Sequence, residues 1–431
     1  MKAKLFSVVA IVVIGIIVLS MTVSNYAAIE NEYNANLASA RANADNLLPY
    51  NAYIYYKAAF EIRCNDEAVY QEFLTQAEAL GVSYYKAAIK DYVVKFPTST
   101  TAHEMLCKMY YDEGSYRQVL TAALDARDKG AASTQVRDWY NECAYMLDTI
   151  KEGIAEPQSF VGSYALVKVN DKYGYINQNG DYLIAPVYAQ ASALTSSSFA
   201  VHDGEEWCIV NMAGFKVART SVPVDYMGIL VSGKIPVAKD GKYAYVTRSL
   251  QIPETLPYDY ASNFKNGVAA VKKGDKWAIV DTDEKNITDF IFDDVVLDEY
   301  NTCGNQGALF VKKDGKYYLI NTRGQRLLDQ GFDAAEPFTE AGPAAVCLSG
   351  KWGFLDATGQ MVIEPQYEGA KSFNIGMGAV CENGRWGYIN TNGEIRVQCQ
   401  FEDCKPFAAN GIAAVKENGI WKYVRLLLYC V

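Results

Sequence analysis

Residues Ala341 to Phe373 read AGPAAVCLSGKWGFLDATGQMVIEPQYEGAKSF. The next stretch, Ile375 to Phe407, repeats the pattern as IGMGAVCENGRWGYINTNGEIRVQCQFEDCKPF. The central tryptophan belongs to a series of aromatic residues, the anchors, which recur in one register at intervals of 34 to 40 residues: Tyr173, Trp207, Tyr243, Trp277, Tyr317, Trp352, Trp386 and Trp421. A period of this length is typical of a repeat architecture, and it defines eight copies.

Each copy has the chemistry of short β-strands joined by tight turns. A valine lies six residues before every anchor, and an aliphatic residue lies three residues after it. Pairs such as Asn383-Gly384 and Asp314-Gly315 favour a two-residue turn with positive φ at both positions. The stretches between the turns are rich in Val, Ile, Tyr and Trp, which indicates a meander of three strands, with a short fourth strand in some copies.

The middle strand of the copy is apolar on both faces, since Trp352 and Phe354 alternate with Leu355. A strand of this kind belongs to a sheet that is covered on both sides. Eight such units predict a propeller-like ring, and an open β-solenoid of stacked hairpins is the alternative. Residues 156–160 resemble the end of a unit whose beginning is missing, which would let the first and last units close the ring. We expect the anchors to lie in the core, with sugar stacking as the alternative.

The unit resembles the WG-repeat family, also called the KWG or WG containing repeat, between about residues 160 and 424. The dipeptide survives as Trp352-Gly353 and Trp386-Gly387, and as Tyr173-Gly174 in the first copy. Copies two to five lack its glycine, and copy eight has Lys422 there. The resemblance implies a repeat-type β fold and a binding role, and it brings no known reaction.

The chain begins with a segment that predicts a membrane anchor at residues 1–26. Leu5 to Val23 is free of charge, and at about 1.5 Å per residue a helix of this length nearly spans a hydrocarbon core of about 30 Å. Lys2 and Lys4 precede the run, which predicts a single-pass membrane protein with a cytoplasmic N-terminus and its bulk outside. A cleaved signal followed by secretion is the alternative.

Residues 27–155 predict a helical domain, and residues 156–431 the β-repeat domain. Ile29, Tyr33, Leu37 and Ala40 recur at helical spacing, and Pro49 ends that run. Residues 100–131 resemble a tetratricopeptide (TPR) unit, which implies antiparallel helix pairs and a protein-binding groove. The predicted fold class is therefore a transmembrane helix, TPR-like α-hairpins and a β-repeat domain.

The composition and motifs give little support to catalysis. A net charge of −10 argues against nucleic acid as a partner, and the chain contains two histidines and no phosphate-loop or hydrolase motif. The ten cysteines form no CxxC pair, so we expect no zinc site and no cofactor. Buried thiols are favoured over disulfides, and Cys399 with Cys404 is the best candidate pair.

We therefore expect a binding or scaffold protein that recognises a protein or a cell-surface polymer through its helical and β repeats. The alternative is a glycan-active enzyme with carboxylates such as Asp293, Asp294 or Glu368 on its loops. Because repeated positions serve the fold, a unique site is expected at non-repeated residues. The conspicuous departure is an insertion at residues 298–306, which makes four residues candidates for partner binding at an exposed loop tip: Asp298, Glu299, Tyr300 and Asn301.

Overall fold

The computed structural model describes the backbone of residues 2–192 and 198–430 and the side chains of residues 23–192 and 198–430. The chain divides into a helical unit that ends at Ala144 and a β unit from Tyr145 to Cys430. The boundary lies earlier than the sequence placed it, because residues 147–154 form a strand and belong to the β unit.

The described part of the helical unit contains seven helices. They are α1 (Lys2–Asp45), α2 (Pro49–Ile62), α3 (Glu67–Ala79), α4 (Val82–Lys95), α5 (Thr100–Asp112), α6 (Tyr116–Asp128) and α7 (Thr134–Ala144). The first core cluster contains Tyr33, Leu37 and Ala40, as their spacing predicted, and stacks Tyr70 on Tyr92 at 4.9 Å between ring centroids. The predicted TPR-like segment forms the α5–α6 hairpin, but its assignment to the TPR family stays a prediction.

The predicted transmembrane helix is not supported. Among the residues whose side chains are described, no helix combines the length and the apolar character needed to cross a bilayer. This finding contradicts both the transmembrane part of the predicted fold class and the single-pass localisation. The apolar run itself lies almost wholly in residues 1–22, whose side chains are outside the described part.

The described residues of the β unit form eight antiparallel sheets, the blades of a β-propeller. Strand β1 (Leu147–Ile154) comes first in the chain. Blade 1 contains β2 (Glu156–Pro157), β3 (Tyr164–Val169), β4 (Lys172–Asn177) and β5 (Tyr182–Tyr188), and blade 2 contains β6 (Gln190–Ala191), β7 (Ser198–His202), β8 (Trp207–Asn211) and β9 (Lys216–Arg219). Blade 3 contains β10 (Tyr226–Met227), β11 (Ile235–Lys239) and β12 (Lys242–Val246), and blade 4 contains β13 (Tyr260–Ala261), β14 (Val268–Lys273) and β15 (Lys276–Asp281).

The remaining four blades follow in chain order. Blade 5 contains β16 (Asp294–Val295), β17 (Ala308–Lys313) and β18 (Lys316–Asn321), and blade 6 contains β19 (Ala334–Ala335), β20 (Ala344–Leu348), β21 (Lys351–Leu355) and β22 (Met361–Tyr367). Blade 7 contains β23 (Gly369–Asn374), β24 (Met377–Glu382), β25 (Arg385–Asn390) and β26 (Ile395–Phe401), and blade 8 contains β27 (Asp403–Cys404), β28 (Ile412–Glu417) and β29 (Ile420–Leu426). In blades 1 to 7 the order of strands along the sheet follows the chain.

Strand β1 closes the ring by completing the last blade. It pairs antiparallel with β29, so blade 8 has the order β1-β29-β28-β27. Ile154 and Phe160 then pack with Ile412 and Tyr423 in a core shared by blades 8 and 1. The predicted ring closure is thus observed, but the strand that completes blade 8 is β1, whereas Glu156-Pro157 begins blade 1.

Packing between neighbouring blades accounts for most of the residue positions that recur in the repeat. The valine six residues before each anchor is at most 1% exposed in all eight blades. In blade 6, Phe354 packs towards blade 7 and Leu355 towards blade 5, so the middle strand is buried on both faces as predicted. The anchors are less buried than expected. Trp207 is buried, but the other seven anchors are half-buried, and the fully packed side chain is the one two residues later.

The glycine of the WG dipeptide is required by a close approach of backbone. A Cβ on Gly353 would lie 2.5 Å from the Ile363 oxygen and 2.7 Å from the Pro365 nitrogen, and Gly174 and Gly387 meet equivalent atoms of their outer strands. In these three blades the outer strand has seven residues and a shift of register opposite the glycine. Blades 3, 4 and 5 lack the glycine, and their described residues form isolated bridges there in place of a long outer strand.

Candidate functional site

The channel along the axis of the propeller contains a cavity of about 690 Å³. Its wall comes from the segments that connect the first and second strands of blades 1, 3, 4, 5, 6 and 8, and from the first strand of blade 7. The corresponding segment of blade 2, residues 193–197, lies outside the described part of the chain. Four phenylalanines that recur at one repeat position lie in this wall, and all four are buried: Phe160, Phe264, Phe338 and Phe407.

The insertion of blade 5 lines this cavity. The sequence placed residues 298–301 at an exposed loop tip. Glu299 is exposed, but the loop folds inward, and Asp298, Tyr300 and Asn301 are half-buried. Tyr300 donates a hydrogen bond of 2.7 Å from its hydroxyl to the Ser159 carbonyl. Because Ser159 belongs to blade 1, which is four blades away in a ring of eight, the insertion reaches across the channel.

Further contacts fix the insertion to three blades. The Glu299 carboxylate accepts a hydrogen bond of 3.1 Å from the Ser159 amide and lies 2.5 Å from Lys405 Nζ of blade 8. Asn263 of blade 4 donates from its side chain to the Tyr300 carbonyl and from its backbone to the Asn301 carbonyl, each at 2.7 Å. The four predicted binding residues therefore have structural partners within the protein, and their role in partner binding stays a prediction.

Asp298 is half-buried, and its carboxylate has hydrogen-bond partners within the insertion. Its carboxylate accepts hydrogen bonds from the Tyr300 amide at 2.9 Å, from the Thr302 amide at 2.8 Å and from the Thr302 hydroxyl at 2.6 Å. Burial raises the pKa of Asp298, although these hydrogen bonds oppose the shift. Asp298 therefore stabilises the conformation of the insertion, and its carboxylate oxygens accept hydrogen bonds from the loop itself.

The lysines that line the cavity are paired with carboxylates. Lys371 Nζ lies 2.7 Å from an Asp403 oxygen and donates to the Cys404 carbonyl at 2.5 Å. Lys265 lies 3.5 Å from Glu340, and Lys405 pairs with Glu299. The positive charges of the wall are therefore largely neutralised within the protein.

Glu336 of blade 6 differs from the other acids of the wall. Its side chain has neither a hydrogen bond nor an ion pair to any described residue, and burial raises the pKa of its carboxyl, with Lys371 opposing the shift. Sequence reasoning missed this residue. The available signal was its place two residues before the repeated phenylalanine, where Lys371 and Lys405 stand in blades 7 and 8.

The carboxylates considered for glycan chemistry have structural roles. Asp293, which follows the outer segment of blade 4, lies 2.6 Å from Lys276 and accepts a hydrogen bond of 2.9 Å from the Asp314 amide of blade 5. Asp259, Asp333, Glu368 and Glu402 accept hydrogen bonds from the turn of the next blade in the same way. The Lys276 ammonium lowers the pKa of Asp293, which is opposite to what a general acid requires.

The ten cysteines are free, and seven of them are buried, as the interpretation as buried thiols predicts for most of them; Cys399 and Cys404 are not bonded to each other. Among the described residues, no group of three or more His, Cys, Asp or Glu side chains is arranged to hold a metal ion. His103 is buried on α5, and His202 lies at the end of β7.

Comparison with known proteins identifies the repeat. The family model of the WG containing repeat matches residues 173–201, 258–277, 352–386 and 386–421. The predicted WG repeat is therefore confirmed at four places in the β unit. These matches begin or end at anchors of the repeat, including Tyr173, Trp352 and Trp421. A comparison with curated proteins gave no match to the sequence of the chain.

Several solved structures share a distant likeness with the chain. PorZ, a surface component of the type-IX secretion system of Porphyromonas gingivalis, is 11% identical with a TM-score of 0.35, over 62% of this chain and 42% of that one. A eukaryotic initiation factor is 12% identical with a TM-score of 0.42, over 64% of this chain and 87% of the other. The dihydro-heme d1 dehydrogenase NirN is 11% identical with a TM-score of 0.39, over 67% and 79%. At these scores the likenesses carry no functional argument.

Proposed function

We propose that this chain is a non-catalytic binding protein whose propeller receives a terminal peptide segment of a partner protein in its central cavity. The observation that carries the proposal is the insertion of blade 5, the non-repeated element that crosses the channel and lines the cavity. A volume of about 690 Å³ is within the range of roughly 300–1,000 Å³ that is usual for ligand pockets.

The wall of the cavity has the mixed character that a peptide requires. Leu230 and Pro337 are partly exposed apolar residues of the wall, and charged side chains such as Glu336 and Lys371 line the same cavity. A peptide presents both apolar side chains and charged or polar groups, so it matches this mixture. The helical hairpins are proposed to add a second protein-binding surface, as the TPR-like spacing of their sequence implies.

A glycan-active enzyme is less favoured as the second candidate. Asp293 and Glu368 are engaged with the turns of neighbouring blades, and the pKa of Asp293 is lowered. A glycosidase needs one carboxyl group with a raised pKa to protonate the leaving group. The repeated carboxylates therefore support a role in joining blades.

The proposal can be tested by selecting peptides on the full-length chain from a displayed random library. The binding of a selected, fluorescently labelled peptide is then measured by anisotropy. Ala409 is exposed on the cavity wall, so Ala409→Trp should block the mouth and weaken binding at least 10-fold. Ala213→Trp places the same bulk on an exposed turn of blade 2 that does not line the cavity and should leave binding unchanged. Equal binding by both variants, or no selected peptide, would refute the proposal.

A further inference from the structure

The charges around the cavity do not balance. Four acidic residues and three lysines contribute to the wall, which leaves one formal negative charge in excess: Asp298, Glu299, Glu336 and Glu340 against Lys265, Lys371 and Lys405. Each lysine has a carboxylate within 3.5 Å, and Asp298 accepts hydrogen bonds from its own loop. Among the described residues of the wall, the acid that lacks any such partner is Glu336.

An unpartnered and poorly hydrated carboxylate has a cost in free energy. Moving a charged group away from water is unfavourable unless an opposite charge or hydrogen-bond donors replace the lost hydration. Glu336 is half-buried, and burial raises the pKa of its carboxyl. The nearby Lys371 ammonium is already directed at Asp403 and the Cys404 carbonyl, so it compensates this charge only in part.

We propose that Glu336 is the counter-ion for a primary ammonium group of the ligand, supplied by a peptide N-terminus or by a lysine side chain. This inference rests on the proposed function, because it names the chemical group that the cavity recognises. A divalent cation requires several oxygen ligands, whereas one carboxylate is enough to pair with an organic cation such as an ammonium group. Pro337 follows Glu336 directly, is partly exposed and lines the same cavity, so the apolar part of a ligand would pack there.

The test compares three forms of the peptide selected above: one with a free N-terminus, one acetylated at the N-terminus, and one with any lysine replaced by norleucine. With the native chain, we expect removal of the recognised ammonium to raise the Kd at least 10-fold. With the Glu336→Gln variant, the three peptides should bind with equal and weak affinity. The modification that weakens binding shows whether the recognised ammonium is the N-terminus or a lysine side chain. The inference is refuted if neither modification weakens binding, or if Glu336→Gln binds all forms as the native chain does.

The failure of this inference can be told apart from the failure of the proposed function. Phenethylamine and its neutral analogue 2-phenylethanol provide probes that need no selected peptide. The amine should raise the melting temperature of the native chain. The alcohol should not raise it, and the amine should not raise that of Glu336→Gln. If the modified and unmodified peptides bind with equal affinity, the cavity remains a peptide-binding site, but the assignment of Glu336 to an ammonium group is refuted. If no peptide is selected, the amine titration still decides the role of Glu336.

A purely structural role for Glu336 makes a different prediction for the protein without ligand. If Glu336 serves to bind a cationic ligand, Glu336→Gln removes an uncompensated charge from the free protein, and its melting temperature should stay the same or rise. A structural role would lower it. Glu364→Gln is the matched control, since Glu364 is an exposed residue of β22 in the same blade and does not line the cavity. A fall in melting temperature that is specific to Glu336→Gln would therefore contradict the inference.

Discussion

At the scale of single residues, the conspicuous aromatic of the repeat is not its best-packed side chain. Trp352 is half-buried, whereas Phe354 is fully buried against blade 7 and meets Phe373 at 4.6 Å between ring centroids. The tryptophan pairs across to Cys347 and Tyr367 near the turn between β20 and β21. The period of the sequence therefore located the core strand, but not the position along it that carries most of the packing.

This difference predicts an order of effects. Phe354→Ala should lower the free energy of unfolding of the β unit by about 3–5 kcal/mol, because it leaves a cavity between two blades. Trp352→Ala should cost clearly less, since part of that ring already contacts water. Urea denaturation followed by circular dichroism measures both. A larger loss for Trp352→Ala would show that the anchor is the principal core residue after all.

The cysteines give a second prediction at this scale. Burial raises the pKa of the Cys404 thiol to about 12 and that of Cys303 to about 12, so neither forms a thiolate at pH 8 in the folded chain. Alkylation by iodoacetamide, read by peptide mass mapping, should therefore reach the partly exposed Cys430 first and leave Cys303 and Cys404 unmodified. Rapid labelling of Cys404, or a Cys399–Cys404 disulfide in the native protein, would contradict this assignment.

At the scale of elements, the WG dipeptide is explained by the bulged outer strand beside it. Gly353→Ala forces its new Cβ against backbone atoms of Ile363 and Pro365, which cannot move aside as a flexible side chain could. We expect the variant to unfold at a distinctly lower temperature than the native chain. The matched change is Gly350→Ser at the preceding turn, where position 350 has open space but positive φ, so only a modest cost in strain is expected there.

The insertion of blade 5 gives the second prediction about an element. A loop at the surface would be replaceable at little cost, but this one joins blades 1, 4, 5 and 8. Replacing residues 298–306 by an Asn-Gly turn should therefore lower the melting temperature. Tyr300→Phe removes one hydrogen bond, to the Ser159 carbonyl, and should lower the free energy of unfolding by about 1 kcal/mol. Unchanged melting of the loop replacement would show that the contacts across the channel contribute nothing.

At the scale of the whole β unit, the sequence predicted the number of blades and their double-faced strands, because both follow from a period and an alternation. The sequence showed the insertion, but not whether it extends into solvent or into the central channel. Whether Tyr300 lies outside or inside depends on the position of Ser159, which is 141 residues away along the chain. Glu336 was missed for a similar reason, since its lack of a partner is a property of the assembled wall.

The closing strand was misassigned for a physical reason. Residues 147–154 have one fully buried position, Ile154, and the strand pairs with β29 through two irregularities. Its sequence, LDTIKEGI, therefore lacks the strict alternation that announces a half-buried strand. Pairing with a strand more than 250 residues later, and not local pattern, makes this segment a strand.

The most direct test of the closed eight-bladed ring is a comparison of two truncated chains, residues 145–431 and residues 156–431. Both lack the helical unit, and they differ chiefly in β1. The longer chain should unfold in one cooperative thermal transition, because Leu147 and Ile154 complete the cores on either side of blade 8. The shorter chain should lose that transition or show it at a much lower temperature. Identical transitions for the two chains would contradict the closure by β1 and, with it, the ring on which the central cavity depends.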